Sequence, residues 1–124
     1  MAESQRQARV QEEFREVLAE EIPRLKDPRM GFVTVTGVKV TPDLKKARVF
    51  YSVFGDDKAK AGTRAALRHA SRHLRTVVGH EVRLKFTPEL VFEEDHAIED
   101  ASRIDELLKQ AERGTASQGD QADG

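Results

Sequence analysis

Two runs of β-branched and aromatic residues, Phe32 to Val40 and Ala47 to Phe54, lie in the first half of this 124-residue chain. Runs of this composition are typical of β-strands, and the connection between them contains the turn-forming pair Pro42 and Asp43. The sequence therefore predicts a β-hairpin. The length of the chain fits a single domain that contains this hairpin.

Helical patterns precede and follow the hairpin. Ser4 is placed to cap a first helix, whose apolar residues recur every three or four positions until Pro23. A second helical pattern runs from about Thr63 to Val78, and Gly79 is placed to end it. The hairpin is therefore predicted to lie between two helices.

The rest of the chain predicts a third strand, a last helix and a tail. Residues 81 to 87 alternate apolar with basic and polar side chains, which is typical of a half-buried strand with a basic outer edge, and residues 88 to 92 are expected to continue extended. A last helix is predicted from about 97 to 112, and the residues after it hold no large apolar side chain. We therefore predict one domain over residues 5–112 and a disordered tail over residues 113–124.

The composition argues against a membrane-spanning or secreted protein. The longest stretch without a charged side chain, Met30 to Val38, is far shorter than the ~20 apolar residues that a membrane-spanning helix needs. Acidic residues interrupt the first thirty positions, which therefore lack the pattern of a secretory signal. The absence of cysteine removes disulfides and thiolate zinc sites and fits a reducing compartment. We expect a cytoplasmic protein with no membrane partner.

The net charge of -1 hides an uneven distribution of charge along the chain. Residues 24–86 carry 15 basic and 5 acidic side chains, whereas residues 1–23 carry 3 basic and 6 acidic ones and residues 87–124 carry 3 basic and 11 acidic ones. A basic middle between acidic flanks favours a polyanionic partner. The alternative is that the opposite charges neutralise one another within the fold.

The second helical pattern separates its arginines from its apolar residues. At about 100° per residue, four arginines fall within an arc of roughly 80°, and the apolar residues share another side. These arginines are Arg64, Arg68, Arg72 and Arg75. Because a guanidinium group matches phosphate oxygens, the stripe predicts a contact surface for a nucleic acid backbone. The alternative is an ordinary solvated face, although residues 58–80 contain no acidic side chain.

No motif in the sequence predicts catalysis or a bound cofactor. The chain has neither a Walker loop nor the Gly-x-Ser-x-Gly motif of a nucleophile elbow. His69 and His73 stand four residues apart and could chelate a metal, but two imidazoles beside an arginine stripe are the more ordinary interpretation. Glu93 to Asp95 could bind a hard cation, although three adjacent carboxylates more often precede a helix. We expect no enzyme activity, no cofactor and no metal.

The small supply of aromatic residues limits how RNA could be recognised. Six phenylalanines and one tyrosine are expected to build most of a small core, which leaves few rings to stack on bases. Phe50 is a candidate exception, because it alternates with Arg48 on one side of the second strand. We therefore expect recognition of RNA shape and backbone rather than base-by-base recognition.

Several short motifs resemble those of the ribosome-binding factor A family. The members of this family are assembly factors of the bacterial small ribosomal subunit. The resemblance covers roughly residues 6 to 110, with the motifs in the family's order and spacing. The matching motifs are Arg9-Val10, Lys26-Asp27-Pro28-Arg29 with Gly31, Val33-Thr34-Val35-Thr36-Gly37-Val38, Asp43-Leu44, Ala47-Arg48-Val49, Ala66-Leu67, Ala70-Ser71, Leu74-Arg75, Val82-Arg83-Leu84 and Thr87-Pro88-Glu89-Leu90-Val91-Phe92.

The resemblance implies an α+β fold with a single type II KH-like domain in the order α-β-β-α-kink-α-β. A three-stranded sheet is expected, together with the C-terminal helix and the tail. The family has a kinked helix pair in place of a Gly-x-x-G loop, and this sequence contains no Gly-x-x-G. The family's Ala-x-Gly kink motif falls on Ala70, Ser71 and Arg72, so that an arginine stands where the family has glycine.

The resemblance also implies a non-catalytic factor, associated with cold adaptation, that binds the immature 30S subunit through 16S ribosomal RNA. Such a factor assists late maturation, including processing of the 16S 5′ end, and is expected to be monomeric off the ribosome. We hypothesise that basic side chains on the second helix, on the predicted third strand and on the hairpin touch phosphate. They are Arg64, Arg68, Arg72, Arg75, Arg83 and Lys85, with Lys45 and Lys46 as outer contacts.

Two other classes of function remain open from the sequence. The first is an adaptor whose acidic C-terminal part binds a basic ribosomal protein. The second is a small metal-dependent RNA hydrolase that uses His69 and His73.

Overall fold

A computed structural model describes residues 3–97 and 104–111 of the chain. The helices and strands form the α+β arrangement expected from the sequence. The elements are α1 (Gln5–Glu21), a 3-10 turn (Ile22–Arg24), β1 (Phe32–Val40), β2 (Lys46–Phe54), α2 (Asp57–Glu81) and β3 (Glu89–Glu94). Residues 104–111 are also helical, as predicted, whereas the predicted tail at 113–124 lies outside the described residues. None of the described helices is long and apolar enough to cross a membrane.

The three strands form one mixed sheet in the order β1-β2-β3. The predicted hairpin is confirmed, because β1 and β2 pair in antiparallel fashion, whereas β3 lies parallel to β2. A parallel neighbour requires a crossover connection, and α2 supplies it. The core lies between one face of this sheet and the two helices.

A β-bulge in β1 explains a break in its apolar alternation. The register shifts between Val35, which faces Tyr51, and Gly37, which faces Phe50, so that Thr36 is the extra residue. The bulge places Val35 and Val38 on the same buried face, although regular alternation would place residues three apart on opposite faces.

The predicted strand at residues 81–87 is wrong, because the third strand begins only at Glu89, within the stretch at 88–92 that was expected to continue extended. Residues 82–88 form an irregular connection between α2 and β3, called here the return segment. Its apolar residues serve to anchor it, since Val82 is buried, Leu84 packs against the core and Pro88 is fully buried. The hydrogen-bonding edge of β2 is occupied by residues 89–94 instead, beginning with the pair Lys46 and Glu89.

The second helix is longer than predicted at both ends. It spans 25 residues and begins after Asp56, whose carboxylate accepts a hydrogen bond from the backbone N–H of Ala59 at 2.9 Å. Gly79 was expected to end the helix but lies inside it. A Cβ atom at Gly79 would lie 2.8 Å from Oγ1 of Thr87, so the glycine allows the return segment to approach the helix closely.

The helix–kink–helix arrangement implied by the resemblance is replaced by a single continuous helix. α2 passes through Ala70, Ser71 and Arg72 without interruption, and the carbonyl of Arg72 accepts a hydrogen bond from the hydroxyl of Thr76 at 3.0 Å. Arginine favours helical backbone by close to 1 kcal/mol more than glycine does. The substitution of arginine for glycine therefore removes the local reason for a break.

The loop between the 3-10 turn and β1 is held by Asp27, Pro28 and Arg29, one of the motifs of the resemblance. The carboxylate of Asp27 accepts hydrogen bonds from the backbone N–H of Arg29 at 2.9 Å and from its guanidinium at 2.7 and 3.0 Å. These bonds lower the pKa of Asp27 to about 2. The N–H of Gly31 then donates to the buried hydroxyl of Thr63 at 2.8 Å, which joins the loop to α2.

Gly62 allows this loop to pack directly on α2, and we expect Gly62→Ala to destabilise the fold. A Cβ atom at residue 62 would lie 2.8 Å from the backbone carbonyl oxygen of Arg29. Glycine to alanine in a helix ordinarily raises stability by about 1 kcal/mol, but overpacking against backbone costs about 1–3 kcal/mol. Chemical unfolding should therefore show a net loss of about 1 kcal/mol.

Gly37→Ala is the matched control for this prediction. Nothing lies within 4 Å of a Cβ atom built at Gly37, so the same substitution meets no obstacle there. We expect its unfolding free energy to stay within about 0.5 kcal/mol of the parent value. A stabilising effect of Gly62→Ala would contradict the close packing of Arg29.

Candidate nucleic-acid interface

The arginine stripe occupies the exposed side of α2, as the residue spacing predicted. Leu67, Leu74 and Val78 are fully buried against the sheet. The four arginines are exposed, at positions Arg64, Arg68, Arg72 and Arg75. Because the apolar side of the helix is fixed to the core, the arginine side must face solvent.

Ion pairs engage three arginines of α1 and the 3-10 turn. Along α1 and the 3-10 turn, Arg9 lies 3.8 Å from Glu13, Arg15 pairs with Glu12 and Arg24 lies 3.1 Å from Glu20. These pairs follow the three-and-four spacing that brings side chains together on a helix. Neutralisation within the fold, the alternative left open above, therefore applies to this part of the chain.

No carboxylate of the described residues neutralises the last three arginines of the stripe. Among the described residues, Arg68, Arg72 and Arg75 have no ion-pair partner. Arg75 donates one hydrogen bond to the carbonyl of Thr87 at 2.8 Å, which leaves other N–H groups of its guanidinium available. A row of unneutralised guanidinium groups on a rigid helix is suited to bind a polyanion.

Arg64 differs from the other three arginines because a glutamate lies beside it. Its guanidinium is 3.8 Å from Oε1 of Glu94, whose side chain is 10% exposed, and Lys60 lies 3.9 Å from the same carboxylate. Tyr51 is the partner of Glu94 where β2 pairs with β3. Burial raises the pKa of Tyr51, and the charge of Glu94 raises it further. The position of Arg64 as a phosphate contact stays a prediction.

The C-terminal half of α2 and the return segment enclose an open groove of about 580 Å³, called here the α2 groove. The structure brings Arg72, Arg75 and Lys85 together in this groove, although Lys85 comes from a different segment. The other lining residues are Thr76, Gly79, His80, Phe86 and Thr87. The lining therefore includes three positively charged side chains, those of Arg72, Arg75 and Lys85, and none of the lining residues is acidic.

The remaining candidate residues lie outside the α2 groove. Arg83 lines a separate depression with Arg6 and Arg9 of α1, next to Glu13 and Glu81. The sequence analysis missed these two α1 arginines, because only the tertiary structure brings them to Arg83.

Lys45 and Lys46 are exposed where the β1–β2 connection meets β2. The carbonyl of Lys45 accepts a hydrogen bond from the N–H of Glu89 at 2.9 Å. This bond places the connection next to the end of the return segment. Both lysines stay predicted outer contacts.

His73 and the acidic cluster are engaged with other parts of the fold. Nε2 of His73 lies 3.1 Å from Oε2 of Glu21, and this contact links α2 to α1. The carboxylate of Glu93 pairs with Arg48 at 2.6 Å, and this bond lowers the pKa of Glu93. Asp95 accepts hydrogen bonds from the N–H of Ala97 and the hydroxyl of Thr36, which lower its pKa. Within residues 3–97 and 104–111, no three His, Cys, Asp or Glu side chains are grouped to hold a metal.

The expectation that the core consumes the aromatic residues is wrong. Phe14 is completely buried, but Phe32, Phe54 and Phe86 are 82%, 86% and 74% exposed. Valine, leucine and isoleucine, together with Tyr51, fill the narrow space between helices and sheet instead. Phe50 is half-buried, and the guanidinium of Arg48 lies 5.0 Å above its ring. Aromatic rings are therefore available at the surface.

Comparisons with known proteins cover most of the chain. The family model described as ribosome-binding factor A matches residues 6–108. A ribosome-binding factor A of Geobacter sulfurreducens is 51% identical over 88 residues, which are 71% of this chain and 75% of that protein.

Two similar structures extend the likeness to the fold. A solution structure of a putative ribosome binding factor A of Thermotoga maritima has a TM-score of 0.67 and 32% identity, and the match covers 77% of this chain and 92% of that one. A homology model of the Thermus thermophilus ribosome binding factor A, fitted into a cryo-EM map of a complex with 30S, has a TM-score of 0.61 and 29% identity. The match covers 77% of this chain and 97% of that one.

Proposed function

Because the chain belongs to the ribosome-binding factor A family, we propose that it binds the immature 30S ribosomal subunit through 16S ribosomal RNA. In this proposal it acts in the cytoplasm during late maturation of the subunit, including processing of the 5′ end of 16S RNA. The proposed role is to bind the RNA and to stabilise one of its conformations, without catalysis. The complex of the Thermus thermophilus relative with 30S supports the choice of partner.

The observation that carries the RNA part of this proposal is the unneutralised row of guanidinium groups on α2. Arg68, Arg72 and Arg75 are exposed and have no ion-pair partner among the described residues, whereas Arg9, Arg15 and Arg24 are paired. Phosphate neutralisation releases counterions and gives strong, salt-dependent binding. A rigid helix that presents several such groups can follow the backbone of a structured RNA.

Co-sedimentation with purified ribosomal particles tests the choice of partner. We expect the protein to pellet with 30S subunits at micromolar or lower concentration and to remain largely in the supernatant with 50S subunits and 70S ribosomes. A basic protein that binds RNA without selection would pellet with all three. Equal binding to all three particles, or binding to none, would overturn the proposal.

A second candidate function is an adaptor that binds a basic ribosomal protein through the acidic C-terminal part. The observation that favours it is the helix at residues 104–111, where Ile104, Leu107 and Leu108 are 56–58% exposed beside the exposed Asp105 and Glu106. Exposed apolar residues beside carboxylates fit a basic protein better than RNA, although Asp105 also pairs with Lys109 at 3.3 Å. A salt titration with isolated 16S RNA separates the two, since only RNA binding gives a steep negative log–log slope without ribosomal proteins.

A further inference from the structure

Phe86 lies in an unusual setting for an exposed aromatic residue. Single exposed apolar residues are ordinary, but Phe86 lines a groove with Arg72, Arg75 and Lys85. The ammonium group of Lys85 lies over its ring, 5.7 Å from the centroid. An aromatic face surrounded by positive charge is the combination that binds unpaired nucleotides, because the base stacks while the phosphates are neutralised.

The return segment holds Phe86 in place although the residue itself is exposed. On its N-terminal side, Leu84 packs against the core. On its C-terminal side, Thr87 is tied by the 2.8 Å hydrogen bond from Arg75 and by its close approach to Gly79, and Pro88 is fully buried. The ring therefore projects from a backbone fixed at both ends, which lowers the entropy cost of binding.

We propose that the α2 groove binds one unpaired nucleotide of a structured RNA, with its base stacked on Phe86 and its neighbouring phosphates bound by Arg72, Arg75 and Lys85. This inference rests on the proposed function, because it takes the partner to be RNA. The groove volume of about 580 Å³ lies within the ~300–1,000 Å³ typical of sites for small ligands. Bases within an A-form helix are stacked and paired, so only a bulged or looped nucleotide can enter.

The other exposed phenylalanine pair lacks these features and provides a control. Phe32 and Phe54 face one another across β1 and β2 at the end of the sheet, and the chain continues from Phe54 to Asp56 and Asp57. Carboxylates beside an aromatic face disfavour a polyanion. Phe54 is 86% exposed and Phe86 is 74% exposed, so substitutions at the two positions change similar amounts of exposed side-chain surface.

The affinity test compares two RNA hairpins of equal length, one fully paired and one with a single unpaired adenosine in the stem. We expect the full-length protein to bind the bulged hairpin about tenfold more tightly, because stacking one base on an aromatic side chain contributes about 1–3 kcal/mol. Phe86→Ala should remove this preference, whereas Phe54→Ala should preserve it. Equal affinity of the parent protein for both hairpins, or binding to neither, overturns the nucleotide site.

A spectroscopic test is available because the chain contains no tryptophan. The indole of Phe86→Trp would be the only one in the protein and should retain the preference for the bulged hairpin. Its fluorescence should be quenched on binding that hairpin, whereas the fluorescence of Phe54→Trp should not change. Unquenched fluorescence of the bound Phe86→Trp variant contradicts stacking.

Failure of this site can be distinguished from failure of the proposed function. If the protein pellets with 30S subunits but shows no preference between the hairpins, the nucleotide site is wrong and the proposed function stands. If it does not pellet with 30S subunits, the proposed function fails whatever the hairpins show. Loss of the preference in Phe54→Ala as well as in Phe86→Ala would also overturn the assignment to the α2 groove.

Discussion

Replacing both Arg68 and Arg72 with glutamine is expected to weaken binding to the 30S subunit by about 100-fold. Both side chains are exposed and make no ion pair with a described residue, so the change removes no contact from the fold. Each lost charge-assisted hydrogen bond to phosphate costs about 1.5–3 kcal/mol, and two such losses correspond to at least a 100-fold change. Glutamine retains the helix propensity of arginine, which should leave α2 intact.

The salt dependence of binding provides a second measurement on the same variant. Removal of two phosphate contacts should reduce the magnitude of the log–log salt slope by about 2. The affinity is measured by co-sedimentation or fluorescence anisotropy at several salt concentrations. An unchanged slope would contradict contact between these arginines and phosphate, even if the affinity fell.

Arg15→Gln combined with Arg24→Gln is the matched control. It lowers the net charge by the same two units, but Arg15 pairs with Glu12, and Arg24 lies 3.1 Å from Glu20. Exposed pairs of this kind contribute about 0–1 kcal/mol to stability, so the control should remain folded. We expect its affinity for 30S to change by less than about threefold. Equal losses in both variants would show that net charge, and not the α2 face, governs binding.

Phe14→Ala is expected to lower the free energy of unfolding by about 3–5 kcal/mol. The side chain is completely buried between α1 and the sheet, and its loss removes apolar burial and leaves a cavity. Because single domains are stable by only about 5–15 kcal/mol, this loss is a large part of the total. Urea unfolding followed by far-UV circular dichroism measures it.

Phe54→Ala is the control for the stability prediction, since the side chain is 86% exposed. Truncation there removes little buried surface, and we expect a change within about 0.5 kcal/mol. A large loss in this variant would show that the end of the sheet is covered in solution. Similar effects of the two substitutions would contradict the division between buried and exposed phenylalanines.

Local patterns in the sequence were sufficient to predict the hairpin, α1 and one buried and one exposed face of α2. Each of these features depends on neighbours within a few residues, such as the cap at Ser4 or the three-and-four spacing of apolar positions. The exposed arginine stripe follows for the same reason. The family, too, was identified from short motifs in the right order.

Two of the errors occurred where contacts with distant segments decided the structure. Residues 81–87 have strand-like alternation, but the edge of β2 pairs with residues 89–94, and the earlier segment became an irregular connection. Gly79 has the appearance of a helix stop, yet it lies inside α2, where its missing side chain leaves room for Thr87. Neither outcome can be read from a window of neighbouring residues.

The sequence by itself determined the order of elements, the basic middle of the chain and the face on which the arginines lie. Only the tertiary structure decided which arginines are neutralised, that Lys85 and Phe86 meet Arg72 and Arg75 in one groove, and that three phenylalanines remain exposed. The physical reason is that helical periodicity acts over one or two turns. Ion pairs, grooves and burial depend on contacts between residues that the chain brings together only when it folds.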